Sequence, residues 1–274
     1  MPIVIISRLP GTGGETIARQ VAAELGYRSI DSEVFEEASR MSTIPAEKLR
    51  TALEQPPSMF GATSADGRRF AAYIRAALAA QLIEDKVVYH GPFGHVLITG
   101  IAHMVKVRLT ALMADRIKRL MERENRDQRA AERKITQMDK NRLQIAEMLF
   151  GADDDDPGPF NLVLNTSEMD EPGLIAAICE TVRHDRYRPT TYSLDAMIDL
   201  ELSARLKAIL LDIDPEAQIY AKRGDVRIRT GIGGRSKEKK LNDIRQRVEA
   251  QEGVGSVTIE SVAPGRDQID RRLH

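Results

Sequence analysis

The first sixteen residues constrain this chain more than any other stretch. Pro2 to Ile6 (PIVII) is apolar and β-branched at every position after the proline. Such a run has no polar face, so it predicts a strand buried on both sides, as in a parallel sheet. Ser7 and Arg8 end the run, the turn Gly11-Thr12-Gly13-Gly14 follows, and a helical pattern then runs from Glu15 to Leu25, closed by Gly26. A glycine in that place accepts the left-handed backbone that stops a helix. Strand, glycine turn and helix together open a phosphate-binding α/β domain.

The same alternation continues. Tyr27 to Asp31 reads as a strand, and Ser32 to Arg40, Pro45 to Gln55 and Arg68 to Glu84 as helices. Lys86 to Tyr89 and Val105 to Thr110 read as buried strands, Ala114 to Phe150 as a charged helical stretch split near its middle, Phe160 to Asn165 as a last strand and Gly173 to Asp185 as a closing helix. Repeated strand–helix alternation predicts a three-layer α/β/α fold around a parallel sheet. Tyr187 to Ser193 carries Pro189 and no helical period, so it reads as a linker. Beyond it the order changes to helix (Leu194–Leu211), two strands (217–221 and 225–232), helix (237–251) and strand (256–262), a small α+β module. A length of 274 residues also suggests two domains, at a prior of about 150 residues each. The expected division is 1–186, linker 187–193, module 194–262 and polar tail 263–274.

Composition removes several classes of function. Net charge is -1, from 40 basic and 41 acidic residues, which excludes a chain-wide basic field. Aromatics are 4% and Trp is absent, so base-stacking platforms, and nucleic acid as a partner, are not expected. Cys179 is the single cysteine, which excludes an intramolecular disulfide and a multi-cysteine metal site. No apolar run reaches the roughly 18 to 20 residues of a membrane span. The opening apolar run is too short for a secretory signal. The expected setting is reduced and cytoplasmic.

The segment Ser7 to Thr16 lies where a phosphate loop belongs. Glycines let backbone N–H groups turn onto phosphate oxygens, and the helix N-terminus adds its dipole. The strict motif fails twice, because Glu15 holds the lysine place and Leu9 the first glycine. Thr16 keeps the hydroxyl that would reach Mg²⁺. Read by itself, the turn serves equally as a tight βα connection with Glu15 favourable at a helix N-terminus. His90, His95 and His103 lack a metal-ligand spacing and read as loop histidines, and Asp153 to Asp156 as a solvated loop.

The text IISRLPGTGGETIARQVAAELGYRSID resembles the opening of the cytidylate kinase-like family, nucleoside monophosphate kinases of P-loop fold. Ser7, Arg8, Gly11, Gly13, Gly14, Ile17, Ala18, Leu25, Gly26 and Asp31 carry the likeness, which continues in Val87-Val88-Tyr89-His90-Gly91, Asp139-Lys140-Asn141-Arg142 and Phe160 to Thr166. The resemblance spans residues 1 to 186. It implies ATP phosphates on Arg8, Gly11, Thr12, Gly13, Gly14, Glu15 and Thr16, with Mg²⁺ at Thr16. It implies a CMP- or dCMP-like acceptor at Asp31 and Gly91. It also implies a helical lid whose Arg116, Arg119, Arg123, Arg129 and Arg142 face the moving phosphoryl group. Three expected cations are missing, at Glu15, Ser32 and Pro92, and Arg8, Arg68 and Arg69 are the available replacements. Two readings follow: a divergent kinase, or a nucleotide-binding sensor or adaptor that has lost transfer chemistry.

Residues 194 to 262 resemble a BON domain, through Ile219 to Ala221, Gly224 to Gly231 and Gly253-Val254-Gly255-Ser256-Val257. That likeness implies phospholipid or protein contacts. Lys222 to Lys240 holds eight basic residues against Asp225 and Glu238, a patch suited to an anionic lipid surface or protein partner, or to guarding a sheet edge.

Overall fold

The computed structural model describes residues 1–56 and 64–261. The expected tail, 263–274, lies outside them. The chain divides into two compact units, Met1–Ser193 and Leu194–His274.

In the first unit, β1 (Ile3–Arg8), β2 (Arg28–Ile30), β3 (Val87–Tyr89), β4 (Met104–Thr110) and β5 (Leu162–Asn165) form one sheet in the order β2-β3-β1-β4-β5. All four pairings are parallel. The apolar opening run explains the centre: Ile3, Val4, Ile5 and Ile6 are all fully buried, each contributing about 1.5–3 kcal/mol. Alternation sends Val4 and Ile6 into one face, where they meet Ile17, Val21, Ile178 and Cys179 of α1 (Gly14–Leu25) and α8 (Glu171–Arg183). Ile5 faces the other way, toward Gly94 of α5 (Gly94–Leu97). Also in this unit are α2 (Glu33–Ser42), α3 (Ala46–Glu54), α4 (Ser64–Leu82), α6 (Met113–Glu124) and α7 (Gln128–Ile145). Helices α2, α3 and α4 pack on one another, as do α6 and α7. The long charged stretch is split at Asn125, which takes a left-handed φ of 51° and ends α6; Asp127 then caps α7 by accepting from Ala130 N–H. Glu124 gathers Arg123, Arg126 and Lys134 and ties the two helices together at that turn.

The expected linker is shorter than the sequence pattern predicts. A 3₁₀ turn covers Asp185–Tyr187 and α9 (Thr191–Leu210) begins inside it. Thr190 and Ser193 explain the early start, because each side-chain oxygen accepts from the other's backbone N–H, a reciprocal cap.

The second unit continues through β6 (Gln218–Lys222), β7 (Asp225–Thr230), α10 (Lys237–Glu249) and β8 (Ser256–Ser261). Strands β6 and β7 are antiparallel, and β7 and β8 parallel. Arg223 and Gly224 turn the hairpin with φ of 51° and 85°, the positive values that a two-residue connection demands. Leu202, Leu206, Val226, Ile228, Ile244 and Val248 make the core on one face of this sheet.

Candidate functional site

The parallel strands end on one side, and there the chain gathers its unusual polar residues. Ser7 and Arg8 come from β1, Arg108 from β4, and His90 and Gly91 follow β3. The crevice beyond the strand carboxyl ends is where open α/β sheets take ligands.

The glycine loop leads into α1 at this edge. Gly11 and Gly13 have φ of 79° and 73°, and Gly13 is the N-cap with no side chain to satisfy the first turn. Thr12 turns its own hydroxyl back onto Leu9 O at 2.9 Å. Among the described residues the N–H groups of Gly11 and Gly13 have no partner. Gly14 is buried, and a Cβ there would stand 2.8 Å from Leu109 Cδ1 and 3.1 Å from Arg8 Cβ and Cδ. The Arg8 stem therefore lies over the helix start. The exposed Glu15 carboxylate pairs with Arg19 at 2.8 Å, one turn along α1.

Behind the loop, Arg116 Nε donates to Pro10 O at 2.7 Å and its Nη2 to Asp139 at 2.6 Å. Arg119 Nη1 donates to Thr12 O at 3.0 Å and to Thr166 Oγ1 at 2.9 Å. Both arginines are tied into the base of the loop. Arg123 is exposed and bound to Glu124, and Arg129 is exposed on α7.

Arg142 enters the core beside β1. Its guanidinium donates to Ser7 Oγ at 2.8 Å and to both oxygens of Asp154, at 2.5 and 3.1 Å, and lies 5.0 Å from the Phe93 ring centroid. Arg108 joins the same pair, donating to Ser7 Oγ at 3.1 Å and Asp154 at 3.0 Å, with Phe160 beside it. Burial alone pushes the Asp154 carboxyl up, but Arg142 and Arg108 together outweigh it and hold the group below its ordinary value. Asp154 therefore stays ionised, two guanidiniums share one carboxylate, and one positive charge is left over. The expected solvated loop is corrected here: Asp153, Asp155 and Asp156 are exposed, but Asp154 is only 3% exposed because two buried cations need it.

The three histidines are corrected too. None is a loop residue at the surface; His90, His95 and His103 are 2%, 3% and 0% exposed. His90 Nε2 meets Ser29 Oγ at 3.1 Å and His103 Nε2 meets Asp85 at 3.2 Å. His95 stacks on Phe160 and lies 3.6 Å from Asp154. Burial, reinforced by Arg142, lowers His95 to about 3, so it is neutral at ordinary pH.

Asp31 follows β2, with Arg8 Nη2 at 3.5 Å and His90 Nδ1 at 3.7 Å. Arg8 Nε also donates to His90 O at 3.2 Å, so these residues form one group at the strand ends. Gly91 is buried, and a Cβ would lie 2.4 Å from Tyr89 Oη; the residue spaces the backbone and has no room for a side chain. Thr16 is exposed in the first turn of α1. Arg68 and Arg69 are exposed on α4; the arginines that bond to the loop itself are Arg116 and Arg119, and Arg8, Arg108 and Arg142 gather at Ser7, Asp31 and Asp154 beside it.

The sequence profile of the cytidylate kinase-like family matches residues 3–168. The chain belongs to that family. It is 27% identical over 170 residues to a cytidylate kinase of Methanopyrus kandleri, covering 62% of this chain and 86% of the relative. It is 29% identical over 171 residues to a cytidylate kinase of Staphylothermus marinus, covering 62% and 89%. A solved structure of an uncharacterised protein from Eubacterium ventriosum shares the fold, with a TM-score of 0.52 at 18% identity, covering 66% of this chain and 97% of that one. The matched range includes the glycine loop and the Asp139 to Arg142 segment. Asp154, Arg108 and the burial of His95 were not singled out by sequence, and Thr166 was noted only as the end of the last-strand segment, with no role. One signal was available for Arg108: with Lys106 it is one of two charges alternating inside the strand VKVRL. Nothing distinguishes Asp154 from its three aspartate neighbours before folding.

Proposed function

We propose that this chain transfers the γ-phosphoryl group of ATP to a nucleoside monophosphate, by family resemblance CMP or dCMP. The observation that carries this reading is the charge excess beside a loop of free amides. Among the described residues Asp154 is the one carboxylate in salt-bridge contact with Arg108 and Arg142, and Arg119 has no carboxylate partner. Phosphoryl transfer asks for positioning and for cations around the group that moves, with little covalent chemistry from the protein.

In this reading the amides of Gly11 and Gly13 and the N-terminus of α1 hold the ATP phosphates. Arg8 and Asp31 orient the acceptor, and Arg142 and Arg108 meet the charge that develops on transfer. The Thr16 hydroxyl, exposed beside the loop, fits a Mg²⁺ that arrives on the phosphates, and no cluster of three acidic or histidine side chains among the described residues forms a cage for one. When bound, Mg²⁺ supplies further neutralisation of phosphate charge. The reading for the second unit is a BON-like module. Its open sheet face carries Tyr220, Lys222, Arg227 and Arg229 around a groove of about 780 Å³, and an anionic lipid or protein surface is its proposed partner. No helix among the described residues is long and apolar enough to cross a membrane.

The deciding experiment titrates the full chain with ATP·Mg²⁺ and with CMP by calorimetry, then measures ADP release with CMP, dCMP, UMP and AMP. Turnover supports the kinase. Binding without turnover favours the sensor reading, for which the missing cations at Ser32 and Pro92 speak. No binding of either nucleotide overturns both.

A further inference from the structure

The family resemblance assigns Arg119 to the lid, facing the transferred group. Its bonds run elsewhere. Arg119 Nη1 donates to Thr12 O at 3.0 Å and to Thr166 Oγ1 at 2.9 Å, and its Nη2 donates to Thr166 O at 3.1 Å. Thr166 Oγ1 itself donates to Thr12 O at 3.1 Å. One loop carbonyl thus accepts from two side chains, one on α6 and one just beyond β5. Thr166 is buried, 7% exposed, so no water competes freely for its hydroxyl.

A peptide unit is planar and trans, so its C=O and the following N–H point in opposite directions. Fixing Thr12 O toward Arg119 and Thr166 therefore turns the Gly13 N–H the other way. That N–H has no partner among the described residues, and Gly13 is exposed. Arg116 does the same two peptides earlier, holding Pro10 O at 2.7 Å and so turning the Gly11 N–H outward. Gly11 allows α6 to come this close, since a Cβ there would lie 2.9 Å from Arg116 O. Without these anchors the glycine loop would be free to flip its peptides, because glycine imposes little preference between positive and negative φ.

We infer that Arg119 and Thr166 are positioning residues for the phosphate loop: they hold the Thr12 carbonyl from behind and so aim the Gly13 amide at a phosphate of the bound nucleotide. This rests on the proposed nucleotide site and deepens it. Arg119 acts through the loop geometry and makes no contact with the transferred group. The distinction is chemical. The anchor needs the guanidinium fork, which reaches Thr12 O and Thr166 together, and the threonine hydroxyl; a lysine ammonium cannot span both.

The experiment measures dissociation constants for ADP·Mg²⁺ and for CMP with the full chain and with Thr166→Val, Thr166→Ser and Arg119→Lys, alongside thermal unfolding of each. Losing one aimed charge-assisted hydrogen bond predicts about tenfold weaker ADP binding in Thr166→Val and in Arg119→Lys. CMP binding changes less than about twofold, since the acceptor group lies at Asp31 and makes no use of this bond. Thr166→Ser restores ADP binding because it keeps the hydroxyl. ADP affinity unchanged in Thr166→Val overturns the inference and leaves the nucleotide site standing. Equal weakening for ADP and CMP marks a general structural role and also overturns it. Should Thr166→Val fail to fold, Arg119→Lys decides alone: wild-type ADP affinity in that variant overturns the inference. A wild-type chain that binds neither ADP nor CMP removes the site and the inference together.

Discussion

Replacing Asp154 by asparagine keeps the side-chain shape and removes one charge. Among the described residues Asp154 is the one carboxylate paired with both guanidiniums, Arg142 at 2.5 Å and Arg108 at 3.0 Å, with side-chain exposures of 12% and 6% against 1% for the aspartate. Breaking a buried pair from one side costs about 3–5 kcal/mol, because the remaining charge stays desolvated without compensation. Here two charges lose their partner, so the value belongs at the upper end of that range. For a unit of 150–250 residues, each kcal/mol moves the melting temperature by about 2–4 °C. Asp154→Asn should therefore lower the melting temperature of the full chain by about 10–20 °C in scanning calorimetry. Phosphate or sulfate should recover part of the loss in the variant and less in the wild type, since an anion can take the place of the carboxylate. Adding Arg108→Met to Asp154→Asn should also recover stability by removing one orphaned charge. A shift below about 2 °C, with no anion effect, would refute the claim that these arginines depend on Asp154.

Other outcomes follow from the same geometry. His95 is neutral in the folded state, with its value lowered to about 3 by burial first and Arg142 next, while the unfolded chain protonates near its ordinary 6.5. The unfolded state then binds more protons between these values, so stability falls as pH drops below 6.5, by about 1.4 kcal/mol per pH unit for this group; His95→Gln should flatten that slope in urea titrations run from pH 7 to 4.5. Asp154 works in the same direction at lower pH, stabilising above its unfolded value near 3.8 and losing the contribution only as pH falls toward its lower folded value, so its acid transition should appear below pH 4. Gly11→Ala places a Cβ 2.9 Å from Arg116 O at a φ of 79°, and should lower stability by about 3 kcal/mol in chemical denaturation, whereas Gly13→Ala, with nothing within 4 Å, should cost only about 1–2 kcal/mol for its φ. Glu15→Lys breaks only a half-exposed pair, so stability should move by less than about 1 kcal/mol while ADP binds more tightly by calorimetry; unchanged affinity would mean that the α1 N-terminus does not face phosphate.

Much of the fold was legible because it depends on local pattern. The PIVII run could only be a buried strand, the glycine turn could only be tight, and alternating periodicity set the remaining strands and helices to within a few residues. The hairpin at Arg223-Gly224 was marked by its glycine for the same reason. The linker was misjudged because a reciprocal cap between Thr190 and Ser193 has no apolar period to announce it. The short helix at Gly94–Leu97 went unread because four residues are too few to show a helical period.

The functional constellation divides differently. Sequence alone determined that a glycine loop follows the first strand, that Glu15, Ser32 and Pro92 stand where the resemblance implies cations, and that arginines abound in the stretch 116–142. It could not assign those arginines, because i, i+3 spacing on a charged helix says which residues share a face and nothing about what meets that face. Tertiary structure decided that Arg116 and Arg119 bolt the loop from behind, that Arg123 stays at the surface, and that Arg142 goes inward to Ser7. It also chose Asp154 from four adjacent aspartates. The reason is that a charge can be buried only beside its partner, and the partners lie 12 to 135 positions apart in the chain.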